Sequence, residues 1–411
     1  MALMDFIAKF SLPTEMVYGI GSSAKVGEEA RRLGASKVFF VTDAGVAKSG
    51  ILAEAMASLE RADLPYVLYD QAPGDPDTND IDQVAAQIRN YGCNFVVAAG
   101  GGSAMCTGKA AAVVANNPGH TVNYLGSDKF PNAPLTCIAM PTTAGSGSEV
   151  SKHTTLTHGE TKRKTGIDGY RTAPRVAILD PLLLRSVPRG QAIASGVDAF
   201  THALEAYVST RATRFTDIIA LDSLSTIAAN LPLSIYSDSL EARCKMSLAS
   251  SMANVACGNA GLGLVHAING AITHVFKARN YPPIPYGLLH AILLPPVLEF
   301  NCIAAEDKFA RVAVEMGANA VGKRQRELAR ECIAKVKEML ALLNAPRRLP
   351  WEKLAPEHAD EIVEETMERP RPNTRKYDRN DVLLIVEKAM QGWEILQRQC
   401  CYRPEHLGYH C

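Results

Sequence analysis

Asp198 and His202 stand four positions apart in the stretch SGVDAFTHALEAY, Ser195 to Tyr207. On a helix that spacing puts them one turn apart on the same face. A carboxylate oxygen and an imidazole nitrogen so placed can grip one small object, and a metal ion is the obvious candidate. The plainer reading is a contact between an acid and a histidine on a helix surface. His266, within the apolar and glycine-rich segment NAGLGLVHAIN, adds an imidazole that neither solubility nor helix stability demands. Oxygen and nitrogen donors in this mixture suit Fe(II), Zn(II) or a similar divalent ion that keeps a position open for substrate.

Two glycine-dense loops each follow an apolar run. The first, GGGSAMCTGKA from Gly100 to Ala110, follows FVVAA. Its glycines let backbone N–H groups approach a pyrophosphate, and the helix that follows adds its positive end. The spacing is neither G-x-G-x-x-G nor a P-loop, so a tight strand-to-helix turn competes with this reading. Lys109 reads as a solvated helix residue. The second loop, PTTAGSGSEVS from Pro141 to Ser151, follows LTCIAM. Hydroxyls of Thr142, Thr143, Ser146 and Ser148 can hydrogen-bond ribose, phosphate or a nicotinamide carboxamide. Asp43 ends the run KVFFVTD, where an acid accepts from a ribose 2′-OH and repels a 2′-phosphate, favouring NAD over NADP. Asp also caps helices, and that reading stands beside the first.

The elements that must position these residues change character along the chain. Apolar, β-rich runs at 37–43, 65–70, 94–101 and 135–141 are separated by helical stretches such as Gly50 to Arg61 and Asp80 to Tyr91. This alternation predicts a parallel sheet covered on both faces, with ligands at the strands' carboxyl ends. After the run RVAILD, long apolar-periodic segments take over: Thr216 to Asn230, Ser239 to Ala256, and Glu306 to Leu343 with breaks. The expected architecture is an α/β N-terminal nucleotide-binding domain over residues 1–185 and an all-α C-terminal domain over 186–411.

The 411 residues suffice for two domains, and 43 basic residues balance 43 acidic ones. No basic stripe interleaved with aromatics suggests nucleic acid, so small-molecule chemistry is expected. The N-terminus MALMDFIAKF shows no signal peptide, and no uninterrupted apolar run reaches the ~20 residues of a membrane span. The expectation is a cytoplasmic protein without a membrane partner. Its 10 cysteines then read mostly as buried small hydrophobes, Cys93, Cys137, Cys244 and Cys257 among them. The atypical tail, 396–411, gathers Cys400, Cys401, His406, His410 and Cys411; a structural metal there competes with a frayed end or a subunit contact.

Taken together, GGGSxxxxxK, PTTAGSGSEV, GVDAFTHALEAY, NAGLGLVHA and AILLPPVLEFN resemble the iron-containing (group III) alcohol dehydrogenase family, which shares the dehydroquinate synthase-like fold. The resemblance runs in order from about Met16 to about Gln391. It implies interconversion of a small alcohol and aldehyde by NAD, with NADP second, at a divalent ion, and assembly as a homo-oligomer, a dimer or larger. Carried over by position, the cofactor contacts are Asp43, Gly101, Gly102, Ser103, Thr142, Thr143, Ser146 and Lys164, and the metal ligands Asp198, His202 and His266.

The chain also departs from the family. Cys106 stands where an Asp is usual, and Gly270 where a second histidine follows the metal-binding one. Pro285-Tyr286-Gly287 replaces the Pro-His-Gly that brings the last ligand. Tyr286 can serve as a phenolate, or His290, four residues on, can reach the ion if its helix shifts by about a turn. A core or capping role for His290 is the alternative. His274 is a candidate for proton transfer. The loop from Gly270 to Ile284 reads as longer than usual; its Lys277 and Arg279 can meet an anionic substrate, beside the plainer reading of both as solvated surface. A metal-free NAD enzyme and a catalytically lapsed binding protein on the same fold are the competing functions.

Overall fold

The computed structural model describes residues 7–350 and 356–394, so the cysteine and histidine tail lies outside the described residues. Six strands form one sheet: β1 Glu15–Tyr18, β2 Val38–Val41, β3 Tyr66–Tyr69, β4 Phe95–Gly100, β5 Thr136–Pro141 and β6 Val176–Leu179. Their order is β1-β6-β5-β4-β2-β3, and every neighbouring pair is parallel. Five of these strands fall within the apolar runs; β1, only four residues long at the sheet edge, was not anticipated.

Alternation along β2 shows how both faces become core. Val38 and Phe40 turn to one side with Val26, Ala30 and Leu59, while Phe39 and Val41 turn to the other with Ile81, Val84 and Ile88. The first layer is α1 (Val26–Arg32) and α3 (Ala53–Arg61); the second is α4 (Thr78–Asn90) and α5 (Gly102–Ala115). The short α2 (Ala44–Ser49) follows β2. Successive strands proceed outward from β2 on one side and from β4 on the other, so the order reverses between these two. Such a switch point opens a crevice at the carboxyl ends of the strands.

From Arg189 onward the chain is helical: α6 Arg189–Val208, α7 Arg214–Tyr236, α8 Leu240–Ala260, α9 Leu264–Ala278, α10 Tyr286–Asn301, α11 Glu306–Glu315, α12 Gln325–Leu342, α13 Pro356–Glu368 and α14 Arg379–Gln391. Two expectations are corrected here. Helix α9 continues to Ala278, so most of the supposed long loop is helix and the connection to α10 is short. And among the described residues two helical segments, Arg214–Tyr236 and Tyr286–Ala304, are by length and composition long and apolar enough to cross a membrane, although interrupting polar residues hid this in the sequence. The second is packed deep in the helical core through Leu289, Ile292, Leu293 and Val297. The first leaves Phe215, Ile218 and Leu233 exposed.

Candidate active site

Helix α6 carries Asp198, His202 and Glu205, three residues spaced to share one face. Helices α8 and α9 meet at a bend of 95°, where Gly261 adopts φ +83°. Glu205 fastens the start of α9 by accepting the backbone N–H groups of Gly263 at 2.8 Å and Val265 at 2.6 Å. An acid at a helix N-terminus satisfies donors that otherwise lack partners. The same carboxylate meets His266 Nδ1 at 2.6 Å, which fixes that ring and aims Nε2 away from it. Helix α10 is brought in by Gly287, where a Cβ would lie 1.8 Å from the Ala194 carbonyl oxygen of α6. That backbone-to-backbone approach presents the next turn of α10, and with it His290, to Asp198.

Four side chains therefore converge. Asp198 Oδ1 is 3.0 Å from His290 Nδ1, 3.7 Å from His202 Nε2 and 3.8 Å from His266 Nε2. One donor atom each from Asp198, His266 and His290 lies within 4.8 Å of the others, the arrangement a single ion needs. His202 flanks them, its ring stacked on His266 with centroids 4.8 Å apart. Asp198 Oδ1, His202 Nδ1, His266 Nε2 and both ring nitrogens of His290 are buried without a hydrogen-bond partner. Each such atom costs ~1–3 kcal/mol if nothing pairs with it. Lone pairs gathered in this way fit a divalent cation in chemistry and in number. Burial opposes ionisation of Asp198, yet the imidazoles of His202, His290 and His266 hold its carboxyl well below the usual range. Burial, with the charges of His290 and His202, keeps His266 neutral, the form in which it can ligate.

His290 reaches this centre with no shift of its helix and is fully buried. Tyr286, one turn earlier, sets its ring edge-on to His290 at 4.9 Å. Although the residue is 39% exposed, loss of water around its hydroxyl, then the charge of Asp198, pushes the phenol up, against the phenolate reading. His274 lies two turns beyond His266, with Nδ1 3.2 Å from Glu365.

The nucleotide-binding expectations meet at the crevice between β2 and β4. Gly100 ends β4 opposite Pro141 of β5, so both glycine-dense loops leave the sheet side by side. Helix α5 starts at Gly102 with no side-chain cap, and a Cβ at Gly102 would meet Ser146 Oγ at 2.8 Å. Asp43 caps α2 through Oδ1, while its Oδ2 lies 3.3 Å from where a Gly100 Cβ would be. The capping reading is met by Oδ1, and Oδ2 is turned toward Gly100. Thr142 is buried and Thr143 approaches Gly101. The Ser103 hydroxyl is occupied by the Gly74 carbonyl at 2.6 Å, leaving its backbone N–H for a ligand.

Other positions differ from expectation. Lys109 is almost fully buried, not solvated: its ammonium donates to the carbonyls of Ser148, Ser151 and His153 and to Ser148 Oγ, pinning the second loop. Cys106 meets Ser148 Oγ at 3.5 Å and accepts from the Thr155 N–H. Lys164 and Lys277 both pair with Asp75 at 2.6 Å, and Arg279 pairs with Glu361. Two lysines thus share one carboxylate while Arg279 has its own, so each of these cations already has an acid beside it.

Comparison with known proteins places this geometry. Residues 13–181 match the family described as iron-containing alcohol dehydrogenase, and residues 192–390 match the C-terminal region of the same family. The chain belongs to the iron-containing alcohol dehydrogenase family. Among relatives, a probable alcohol dehydrogenase, EutG, from Salmonella typhimurium is 34% identical over 376 residues, 90% of this chain and 91% of the relative. A 1,3-propanediol dehydrogenase from Klebsiella pneumoniae is 34% identical over 83% of this chain and 87% of its own. A solved 1,3-propanediol oxidoreductase superposes with TM-score 0.89 at 31% identity, covering 94% of this chain and all (100%) of that one. A sulfoacetaldehyde reductase from Bifidobacterium kashiwanohense, solved with NAD+, gives TM-score 0.83 at 25% identity over 93% of this chain and 98% of that one. The protein is an oxidoreductase of this family, and its general activity is that of an alcohol dehydrogenase.

Within the family's architecture, two functional groups escaped the sequence reading. Glu205 lay in the same stretch as Asp198, at the i+7 position of its face, and that spacing was its signal. Lys109 carried no such signal, because only the folded loop reveals what surrounds it.

Proposed function

We propose that the protein interconverts a small primary alcohol and its aldehyde with NAD at a divalent ion held by Asp198, His202, His266 and His290. The observation that carries this reading is the convergence of His290 Nδ1, His202 Nε2 and His266 Nε2 on Asp198 Oδ1, with several buried atoms of this cluster lacking a hydrogen bond among the described residues. It weighs against a metal-free enzyme or a lapsed binding protein, in which those atoms would be a standing cost.

When bound, the ion supplies Lewis-acid polarisation of the substrate oxygen, and NAD takes or gives the hydride. The chain's own residues do the positioning. Glu205 holds the proton on His266 Nδ1 and so keeps the Nε2 lone pair free. The N-terminal N–H groups of α5, with Gly101, Gly102 and Ser103, receive the pyrophosphate. Thr142, Thr143 and Ser146 orient the nicotinamide half, Lys164 stands at the rim, and Asp43 selects NAD over NADP through Oδ2. Tyr286 keeps its phenolic proton beside the ligands, and His274 stands farther along the cleft, oriented by Glu365; these are the two groups we assign to proton movement. Apolar side chains left exposed on α7 support a homo-oligomer, a dimer or larger; we assign it to the cytoplasm on the sequence expectation alone.

The test is metal analysis of protein purified without chelator, together with NADH oxidation against a panel of small aldehydes. Turnover is expected to disappear on chelation and return with Fe(II) or Zn(II). Full turnover at near-zero metal would remove the ion from the reading. Absence of turnover in metal-loaded protein on every aldehyde would remove the dehydrogenase.

A further inference from the structure

Glycine inside a helix weakens it relative to alanine, so each such glycine asks for a steric reason. Most have one here. A Cβ at Gly108 would come within 2.6 Å of Ala98, one at Gly196 within 2.1 Å of Leu231, and one at Gly287 within 1.8 Å of the Ala194 carbonyl. Gly270, in the middle of α9, has none: among the described residues a Cβ there would meet nothing within 4 Å, as at Gly190, which lies in the exposed first turn of α6. Gly258 is equally open, but it lines a surface hollow with Leu12 and Pro13.

The surroundings of Gly270 say what its space is for. It lies one turn beyond His266, ~6 Å along the helix axis. Ala267, Gly270, Thr273, His274 and Lys277 make up the half-buried side of α9. At the far end of that side Lys277 reaches across to Asp75 and Thr157 of the sheet domain. Gly270 therefore faces the cleft, between the metal donors and the point where the two domains are tied together.

We propose that Gly270 sets the size of substrate the site admits, its space receiving the carbon chain of a primary alcohol longer or bulkier than ethanol. The inference rests on the metal-centred alcohol dehydrogenase reading, since the reacting carbon must be anchored at Asp198 and its imidazoles for the chain to run along α9. The residue acts by shape: it leaves the ligands untouched and removes a wall.

The experiment compares wild type, Gly270→Ala and Gly270→Leu, metal-loaded, for kcat/KM on ethanol, 1-propanol, 1-hexanol and benzyl alcohol. Metal content and thermal midpoint are read alongside. Because the added Cβ has room, Gly270→Ala should fold at least as stably as wild type. Wild type should favour the longer alcohols. Gly270→Leu should lose roughly tenfold or more on 1-hexanol and benzyl alcohol, the scale at which a pocket senses one or two carbons, while ethanol turnover and bound metal stay the same. Equal loss on all four alcohols, or no loss on any, overturns the proposal. If metal-loaded wild type oxidises none of them, the dehydrogenase reading fails on its own terms. Binding of the same alcohols to Co(II)-substituted protein, followed by its visible absorption, then decides the size question. Weaker binding of the long alcohols alone in Gly270→Leu supports the proposal, and unchanged binding refutes it.

Discussion

Glu205 Oε2 and His266 Nδ1 lie 2.6 Å apart, both buried, and the same carboxylate closes the first turn of α9. One acid thus fixes where the helix starts and which way its histidine points. In Glu205→Gln the amide must turn a donor toward at least one of the two N–H groups it now accepts. Metal affinity is expected to fall about 10–100-fold, the usual effect of losing such an orienting partner. Equilibrium dialysis against Zn(II) measures it, and wild-type affinity in the variant would end the assignment.

His290 and Tyr286 are one turn apart on α10, and they separate by substitution. His290→Ala is expected to lose bound metal, whereas Tyr286→Phe retains it, because the ring packing survives and the protonated phenol is not a donor to the ion. Metal stoichiometry by elemental analysis is the readout, with circular dichroism as a check on folding. The reverse pattern would return the ligand role to Tyr286.

Lys109 satisfies three backbone carbonyls from inside the protein. Lys109→Met keeps the length and removes the donors, stranding acceptors at ~1–3 kcal/mol each. A loss of about 3 kcal/mol or more in urea unfolding is expected, with weaker NADH binding by fluorescence titration, since the loop it pins carries Thr142, Thr143 and Ser146. Unchanged NADH affinity would separate Lys109 from the cofactor site.

Asp75 joins Lys164 of the sheet domain to Lys277 of the helical one. Burial opposes its charge, but the two ammonium groups override this and hold it at about 2, below the ~3.9 of an unfolded chain. Its contribution is complete above about pH 4 and disappears as pH falls through about 2. The pair is partly exposed, so Asp75→Asn should cost ~1 kcal/mol or less near neutral pH, and less still in high salt. The stability gap between variant and wild type should narrow across that acid window in urea titrations. A gap that stays constant would mean Asp75 acts by shape, not charge.

These contrasts show what a linear pattern can carry. Asp198 and His202 were legible because a helix converts a spacing of four into a shared face, and the strands because buried parallel runs are continuously apolar. His290 was harder: its place depends on how far α10 slides against α6, and contacts remote in the chain, the close approach at Gly287 among them, settle that. Lys109 was misread because lysines in helices usually face water, and only the fold of Ser148 to His153 makes its site polar. The partners of Lys277 and Arg279, Asp75 and Glu361, could not be read from the sequence because they are remote in the chain.

The absence of a side chain at Gly287 has a broader effect. Because α10 comes down directly on the main chain of α6 there, peptide geometry limits how far the spacing between Asp198 and His290 can change as nearby side chains are exchanged. The ion's seat and the cleft wall are thereby uncoupled. Cleft-facing positions of α9 such as Gly270 are then free to vary and adapt the site to new alcohols, while the reacting end of each would still be met by the same fixed set of atoms.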